Sequence, residues 1–147
     1  MISLNQSQTI AQPILGVFNF LANFENRVLF ESAVVDVNKA SDGDMGIGTR
    51  FREMRKAMGW RTVTEFEIVK FESPGYLQFK SISGTVEIEG SYTLAERDDQ
   101  TNVNFEITMK PRGMMIPMTP LIASTTRKAL PKYYATLKTV LEAKGSK

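Results

Sequence analysis

The sequence predicts an α+β chain in which a curved antiparallel sheet of about seven strands holds one long C-terminal helix. Three observations predict it. Residues 117–145 place apolar or small side chains at Met118, Leu121, Ile122, Thr125, Ala129, Leu130, Tyr133, Leu137, Val140 and Leu141. These are steps of three and four, the spacing of one helix face. Between positions 47 and 111, five segments rich in alternation follow one another, separated by short turn-forming stretches, the pattern of an antiparallel meander. The sheet then has one dry face, and only the final helix is long enough to cover it. The 147 residues suit a single domain over 1–147, burying roughly two-thirds of its unfolded surface.

Composition limits the chemistry. There is no cysteine and no histidine. Disulfides, thiol nucleophiles, thiolate or histidine metal sites and a Ser-His-Asp triad are therefore excluded. Catalysis would have to use carboxylates, Lys, Arg, Tyr or bound water, and neither a metal nor a cofactor is expected. A net charge of +2 gives no global field for nucleic acid, so no nucleic-acid partner is expected. No apolar run reaches the length of a membrane span. The opening MISLNQSQTI lacks a basic region, so the sequence is read without a signal peptide and with a cytoplasmic location. Monomer and homodimer are both compatible with it.

Ile2, Leu4, Gln6, Gln8 and Ile10 alternate with polar neighbours and predict a first strand. Pro13 stands where proline opens a helix, and Ile14, Phe18, Leu21 and Ala22 share a face of a helix over 13–22. Asn23 then caps a second short turn through Asn26. Residues 29–38 are rich in β-branched side chains and predict the next strand. The loop SDGDMGIGT at 41–49 carries three glycines. No helix follows whose N-terminus would hold a phosphate, so it reads as a hairpin connection. Strands are predicted over 47–58, 60–72, 76–82, 85–96 and 101–111, joined at Met58-Gly59, Ser73-Pro74-Gly75, Ser83-Gly84 and Asp98-Asp99-Gln100. In the final helix Thr119 before Pro120 suits an N-cap. Lys144 and Gly145 suit the C-terminal end. Pro131 removes one backbone bond and predicts a kink near 126–130 without a break, because the apolar stripe keeps its phase.

A strand, two short helices, a six-strand meander and a long last helix, in that order, resemble the helix-grip fold of the START-related superfamily, also labelled polyketide cyclase/dehydrase or SRPBCC. The resemblance covers essentially the whole chain. It is carried by VFNFLANFEN at 17–26, GIGTRF at 46–51, FEIVKFESPGYLQFKS at 66–81, GSYTL at 90–94, TNVNFEI at 101–107 and PLIASTTRKAL at 120–130. The glycine loop before GTRF is similar to that of the birch-pollen-allergen branch. The resemblance implies a sheet wrapped round the last helix and a cavity between them for a small hydrophobic molecule, lipid- or polyketide-like. It names no ligand, because the superfamily includes binders, cyclases, dehydratases and lipid carriers. Pro131 departs from the family pattern, as does Phe30, where many members carry tryptophan.

Three functional readings follow. The first is a binder with Phe51, Phe66, Phe79, Tyr92, Phe105, Met109, Leu121, Thr125 and Tyr133 lining the pocket. The second is a cyclase or dehydratase, with Glu53 as base and Tyr92 or Arg55 stabilising an oxyanion. The third is a surface-interaction module using the basic segment 50–61, which holds five cations and one carboxylate. Strand parity turns Arg50, Arg52 and Lys56 to one face, where the simplest state is a solvated row. The same parity turns Glu53 and Arg55 inward with Phe51, roughly 6–7 Å apart. There they form a polar spot in the pocket, unless a bulge reverses the parity or this strand end lies beyond the pocket in water. Tyr92 needs a hydrogen-bond partner if buried. Trp60, beside a turn, reads as a rim residue. Met109, Met114, Met115 and Met118 make either an adaptable mouth or ordinary packing.

Overall fold

The computed structural model describes residues 1–57 and 59–145. The elements are β1 (Ile2–Ile10), α1 (Ile14–Ala22), a 3-10 helix (Phe24–Leu29), β2 (Val34–Lys39), β3 (Arg50–Ala57), β4 (Trp60–Glu72), β5 (Tyr76–Ser81), β6 (Val86–Arg97) and β7 (Gln100–Pro111). A second 3-10 helix (Gly113–Met118) then leads into α2 (Thr119–Gly145). The seven strands form one antiparallel sheet in the order β1-β7-β6-β5-β4-β3-β2. This is the helix-grip arrangement, with α2 laid against the inner face.

Alternation explains the sheet. Along β1, Ser3, Asn5, Ser7 and Thr9 are exposed while Ile2 and Ile10 are buried. In β7, Thr101, Val103, Phe105, Met109 and Pro111 are buried. Asp98 and Asp99 take positive φ values of 52° and 64° between the paired residues Arg97 and Gln100. That is a two-residue hairpin of the mirror-image type that fits strand twist. The 41–49 loop joins antiparallel β2 and β3, with Gly43 and Gly48 at φ 94° and 91°, a region closed to most side chains. The expected Met58-Gly59 turn includes Met58, which lies outside the described residues.

Four details differ from the sequence reading. The second strand starts at Val34 instead of residue 29, because residues 24–29 wind into a 3-10 helix. Asn23 caps it by accepting from the Glu25 N–H, and Arg27 is drawn into the interior. Pro13 is the N-cap of α1 with extended backbone, so the helix begins one residue later. Thr119 is not an N-cap. It is already helical, because the preceding 3-10 helix runs straight into α2, and its hydroxyl donates to the Ile116 carbonyl at 2.6 Å. Tyr134, absent from the predicted stripe, is fully buried. α2 passes Pro131 unbroken. Pro131 and Arg127 both face solvent, so water can satisfy the carbonyl that loses its partner.

The core between sheet and α2 is built of rings. Phe24 stacks on Phe51 at 4.8 Å between centroids and meets Phe79 edge-on at 5.0 Å. Phe79 continues to Phe66 and Phe105, Phe105 to Tyr92 and Tyr134, and Tyr134 to Phe30. Leu130, Tyr133, Leu137 and Leu141 of α2 join this cluster. A smaller one gathers Ile2, Met109 and Ile122, with Met115 and Met118 beside them.

Candidate functional site

Four ionised side chains meet at the inner face where β3 passes the first 3-10 helix. Arg27 comes from that helix, Glu31 from the loop after it, and Glu53 and Arg55 from alternate positions of β3. The inward parity of Glu53 and Arg55 holds. No bulge intervenes on the β4 side, where Phe51, Glu53 and Arg55 pair in step with Phe66, Thr64 and Thr62. Arg27 Nη1 donates to Glu53 Oε1 at 3.2 Å, and Arg55 Nη2 donates to Glu31 Oε1 at 2.6 Å. Arg55 Nε lies 3.6 Å from Glu53 Oε2, and Arg27 Nε 3.8 Å from Glu31 Oε2. Each carboxylate thus sees two guanidiniums, and the four charges cancel.

Arg27 is buried, and its guanidinium carbon sits 3.9 Å from the Phe24 centroid and 4.9 Å from that of Phe79. Desolvated stacking of this kind suits a guanidinium better than an ammonium. Arg27 Nε is buried without a hydrogen bond. Burial alone favours the neutral forms of these groups. For Arg27 it is outweighed by Tyr92, Glu53 and Glu31, which raise its pKa. For Arg55 it is outweighed by Glu31 and Glu53, with the same result. Burial pushes the Glu53 carboxyl upward, but Arg55 and Arg27 together bring it below its ordinary value. A carboxylate held ionised in this way is a weak proton acceptor, which counts against Glu53 as a catalytic base.

Two phenols continue the polar line. The Tyr134 hydroxyl donates to that of Tyr92 at 3.3 Å, so the partner that Tyr92 requires comes from α2. Burial raises both phenol pKa values, Tyr134's the further. Both stay protonated near neutral pH, with Tyr134 donating and Tyr92 accepting.

The other anticipated residues separate by depth. Phe51, Phe66, Phe79 and Phe105 belong to the packed ring chain, so the middle of the expected cavity is occupied by side chains. Tyr133 is buried, Thr125 is half-buried, and Met109 lies in the smaller cluster. Leu121 is nearly half exposed and belongs to the rim. Arg55 is 31% exposed and so lies at the edge of the packed interior. Arg50, Arg52 and Lys56 face solvent. Glu67 and Glu65 stand opposite the two arginines, which offsets much of that basic row. Two shallow concavities on the outer face, one around Gln78, Glu89 and Glu106 and one around Asn5 and Thr108, lie on the side of the sheet away from the ionised cluster.

Sequence reasoning missed Arg27, Glu31 and Tyr134. A signal existed for the first two. Phe24, Arg27 and Phe30 are three apart, placing a cation between rings on one helical face, with Glu31 four residues beyond Arg27.

A family model described as polyketide cyclase / dehydrase and lipid transport matches residues 1–142. No curated protein matches the sequence. Among solved structures, a START superfamily protein from Mycobacterium smegmatis superposes with a TM-score of 0.77 at 12% identity, covering 96% of this chain and 97% of that one. The protein TTHA0849 from Thermus thermophilus gives 0.74 at 16% identity, covering 94% and 98%. The di-domain ARO/CYC BexL from the BE-7585A biosynthetic pathway gives 0.71 at 14% identity, covering 96% of this chain and 48% of that one. At these identities the likeness is one of fold.

Proposed function

The chain belongs to the polyketide cyclase/dehydrase and lipid transport family, and from that premise we propose that it binds a small hydrophobic molecule between the sheet and α2. The ligand is oriented by the ionised cluster. The observation that carries this reading is Arg55, whose guanidinium is fixed by Glu31 and Glu53 yet remains partly exposed. It stands at the edge of the ring-packed interior. Mostly apolar walls with a few placed polar groups are the general form of a small-molecule site. Phe51, Phe66, Phe79, Phe105, Met109, Leu121, Thr125 and Tyr133 are its proposed walls, and Tyr92 and Arg55 its donors. Because rings fill the middle, entry requires the first half of α2 to yield. That half has a half-buried, hydroxyl-bearing surface at Ser124, Thr125 and Thr126.

Glu53 supports Arg55 and is not assigned a proton-transfer step, so the binding reading is favoured over a cyclase or dehydratase. Native mass spectrometry of the protein purified without denaturant is expected to show a bound small molecule. A neutral dye such as Nile red should bind and be displaced by an aromatic hydroxyketone. Arg55→Met should weaken the hydroxyketone on the order of tenfold, the loss of one charge-assisted hydrogen bond, while leaving Nile red binding unchanged. A protein that takes up neither compound refutes the site. Equal hydroxyketone affinity in the variant refutes the role of Arg55.

A further inference from the structure

Exposed large apolar side chains occur on several parts of the surface, among them Leu15 and Ile47 at the end that holds the 41–49 loop, but five gather at the opposite end. Trp60 (63% exposed), Ile82 (40%), Met114 (95%), Ile116 (58%) and Leu121 (46%) all belong to one end of the molecule. The topology places them together. Trp60 opens β4 opposite Ala57. The β5–β6 turn that holds Ile82 is tied to β4 through the Ile82 N–H and Glu65 carbonyl, and to the end of β7 through the Arg112 N–H and Thr85 carbonyl. Met114 and Ile116 follow directly in the second 3-10 helix, and Leu121 lies in the first turn of α2.

Four cations gather at the same end. Lys56 and Arg61 stand directly opposite each other beside Trp60, a like-charge cross-strand pair that costs stability unless a negative surface is near. Lys110 and Arg112 both adjoin Glu87 at this end. The far end holds the β6–β7 turn with Asp98 and Asp99, the 41–49 loop with Asp42 and Asp44, and Glu72 at the close of β4. The first end thus combines those five apolar side chains with four cations and Glu87, while the far end mixes its carboxylates with Lys39, Arg50 and Arg97.

We infer that the apolar, cationic end docks on a negatively charged lipid bilayer surface. Tryptophan and aliphatic side chains ringed by Lys and Arg are the composition that enters the headgroup region. Each cation near such a surface adds to the attraction, which falls off within a Debye length. No helix among the described residues is long and apolar enough to cross a membrane, so the contact is peripheral. A second copy of this chain would bring the same cations face to face, and the Lys56–Arg61 pair argues against it. The inference stands on the surface alone and does not require the interior site.

Trp60 is the chain's one tryptophan, so its fluorescence reports on this end. The test uses the full chain with vesicles of phosphatidylcholine alone and of phosphatidylcholine mixed with phosphatidylglycerol. The expected result is co-sedimentation and a blue shift of Trp60 emission with the mixed vesicles, both lost as salt is raised. Lys56→Glu with Arg61→Glu should lower the affinity on the order of tenfold or more. Met114→Glu with Ile116→Glu should abolish the blue shift. All four positions are exposed, so circular dichroism should show both variants folded. The proposal is overturned by absence of sedimentation and shift, by undiminished binding in both variants, or by a concentration-dependent blue shift without lipid, which would make a second copy the occupant. Dye uptake by the interior is read separately, so either proposal can fail without the other.

Discussion

The two halves of α2 meet the sheet in different ways. From Leu130 to Leu141 the helix is clamped. Leu130, Tyr133, Tyr134, Leu137 and Leu141 are all buried against rings from β3 to β7 and from the first 3-10 helix. From Thr119 to Ala129 only Ile122 is buried, and it belongs to the smaller, methionine-edged cluster. A single apolar stripe of constant phase therefore serves two purposes: the second half is the rod that organises the core, and the first half is a cover over a more open wall. The ionised cluster is carried by β3, the first 3-10 helix and the loop after it, and it packs on the rings of the closed side. The rings supply a dry setting in which charge pairing is strong, while part of the Arg55 side chain stays exposed.

The largest effect should come from disturbing that cluster. Glu53→Gln leaves Arg27 and Arg55 short of one carboxylate in a desolvated place, and breaking such a pair costs about 3–5 kcal/mol. The pH dependence has a definite sign. The folded-state pKa of Glu53 is below its ordinary value of 4.5, so its contribution is complete above that value. It is lost as pH falls through the depressed folded value. Urea unfolding should show the wild type far more stable than Glu53→Gln at neutral pH, with the gap closing in acid. A gap that stays constant with pH would mean that the cluster contributes by shape and not by charge.

Next comes the contrast within α2 itself. Leu137 is fully buried and Leu121 is nearly half exposed. Leu137→Ala should cost about 2–5 kcal/mol, whereas Leu121→Ala should stay within about 0.5 kcal/mol. Urea midpoints of the two variants measured side by side decide it. Equal losses would show that the helix is gripped evenly along its length, and the division into clamp and cover would fall.

Much of the fold was legible because period and punctuation agree. Alternation in β6 and β7, turn residues between strands and helical steps in α2 all point to one answer. The parity of β3 was legible too, and it put Glu53 and Arg55 on the inner face. What parity cannot give is partnership. Arg27 sits on a short 3-10 helix with little periodicity of its own, and its pairing with Glu53 spans 26 residues, a relation only tertiary structure creates. Tyr134 escaped because Tyr133 already filled the stripe. Two adjacent tyrosines are both buried where the helix is enclosed on two sides. The filling of the interior was equally hidden. A sequence shows which rings face inward and does not show whether they touch.

The smallest of these effects tests how tightly the rings of the closed side pack on their own sheet. Gly90 in β6 lies beneath the Phe79 ring, and a Cβ added there would come within 2.3 Å of Phe79 Cζ and 2.7 Å of Cε1. The ring cannot easily retreat, since Phe24, Phe66, Tyr92 and Phe105 surround it. Gly90→Ala should therefore destabilise by about 1–3 kcal/mol through overpacking. Gly46, where an added Cβ meets nothing within 4 Å, should accept alanine within about 0.5 kcal/mol. Combining Gly90→Ala with Phe79→Leu separates the clash from any intrinsic strand preference. If the clash is the cause, the two changes cost less together than the sum of their separate losses, because the shorter side chain vacates the space the new methyl needs. Strict additivity in urea unfolding would mean that Phe79 does not press on the sheet at Gly90. The ring core under the closed half would then be looser than its ring contacts indicate.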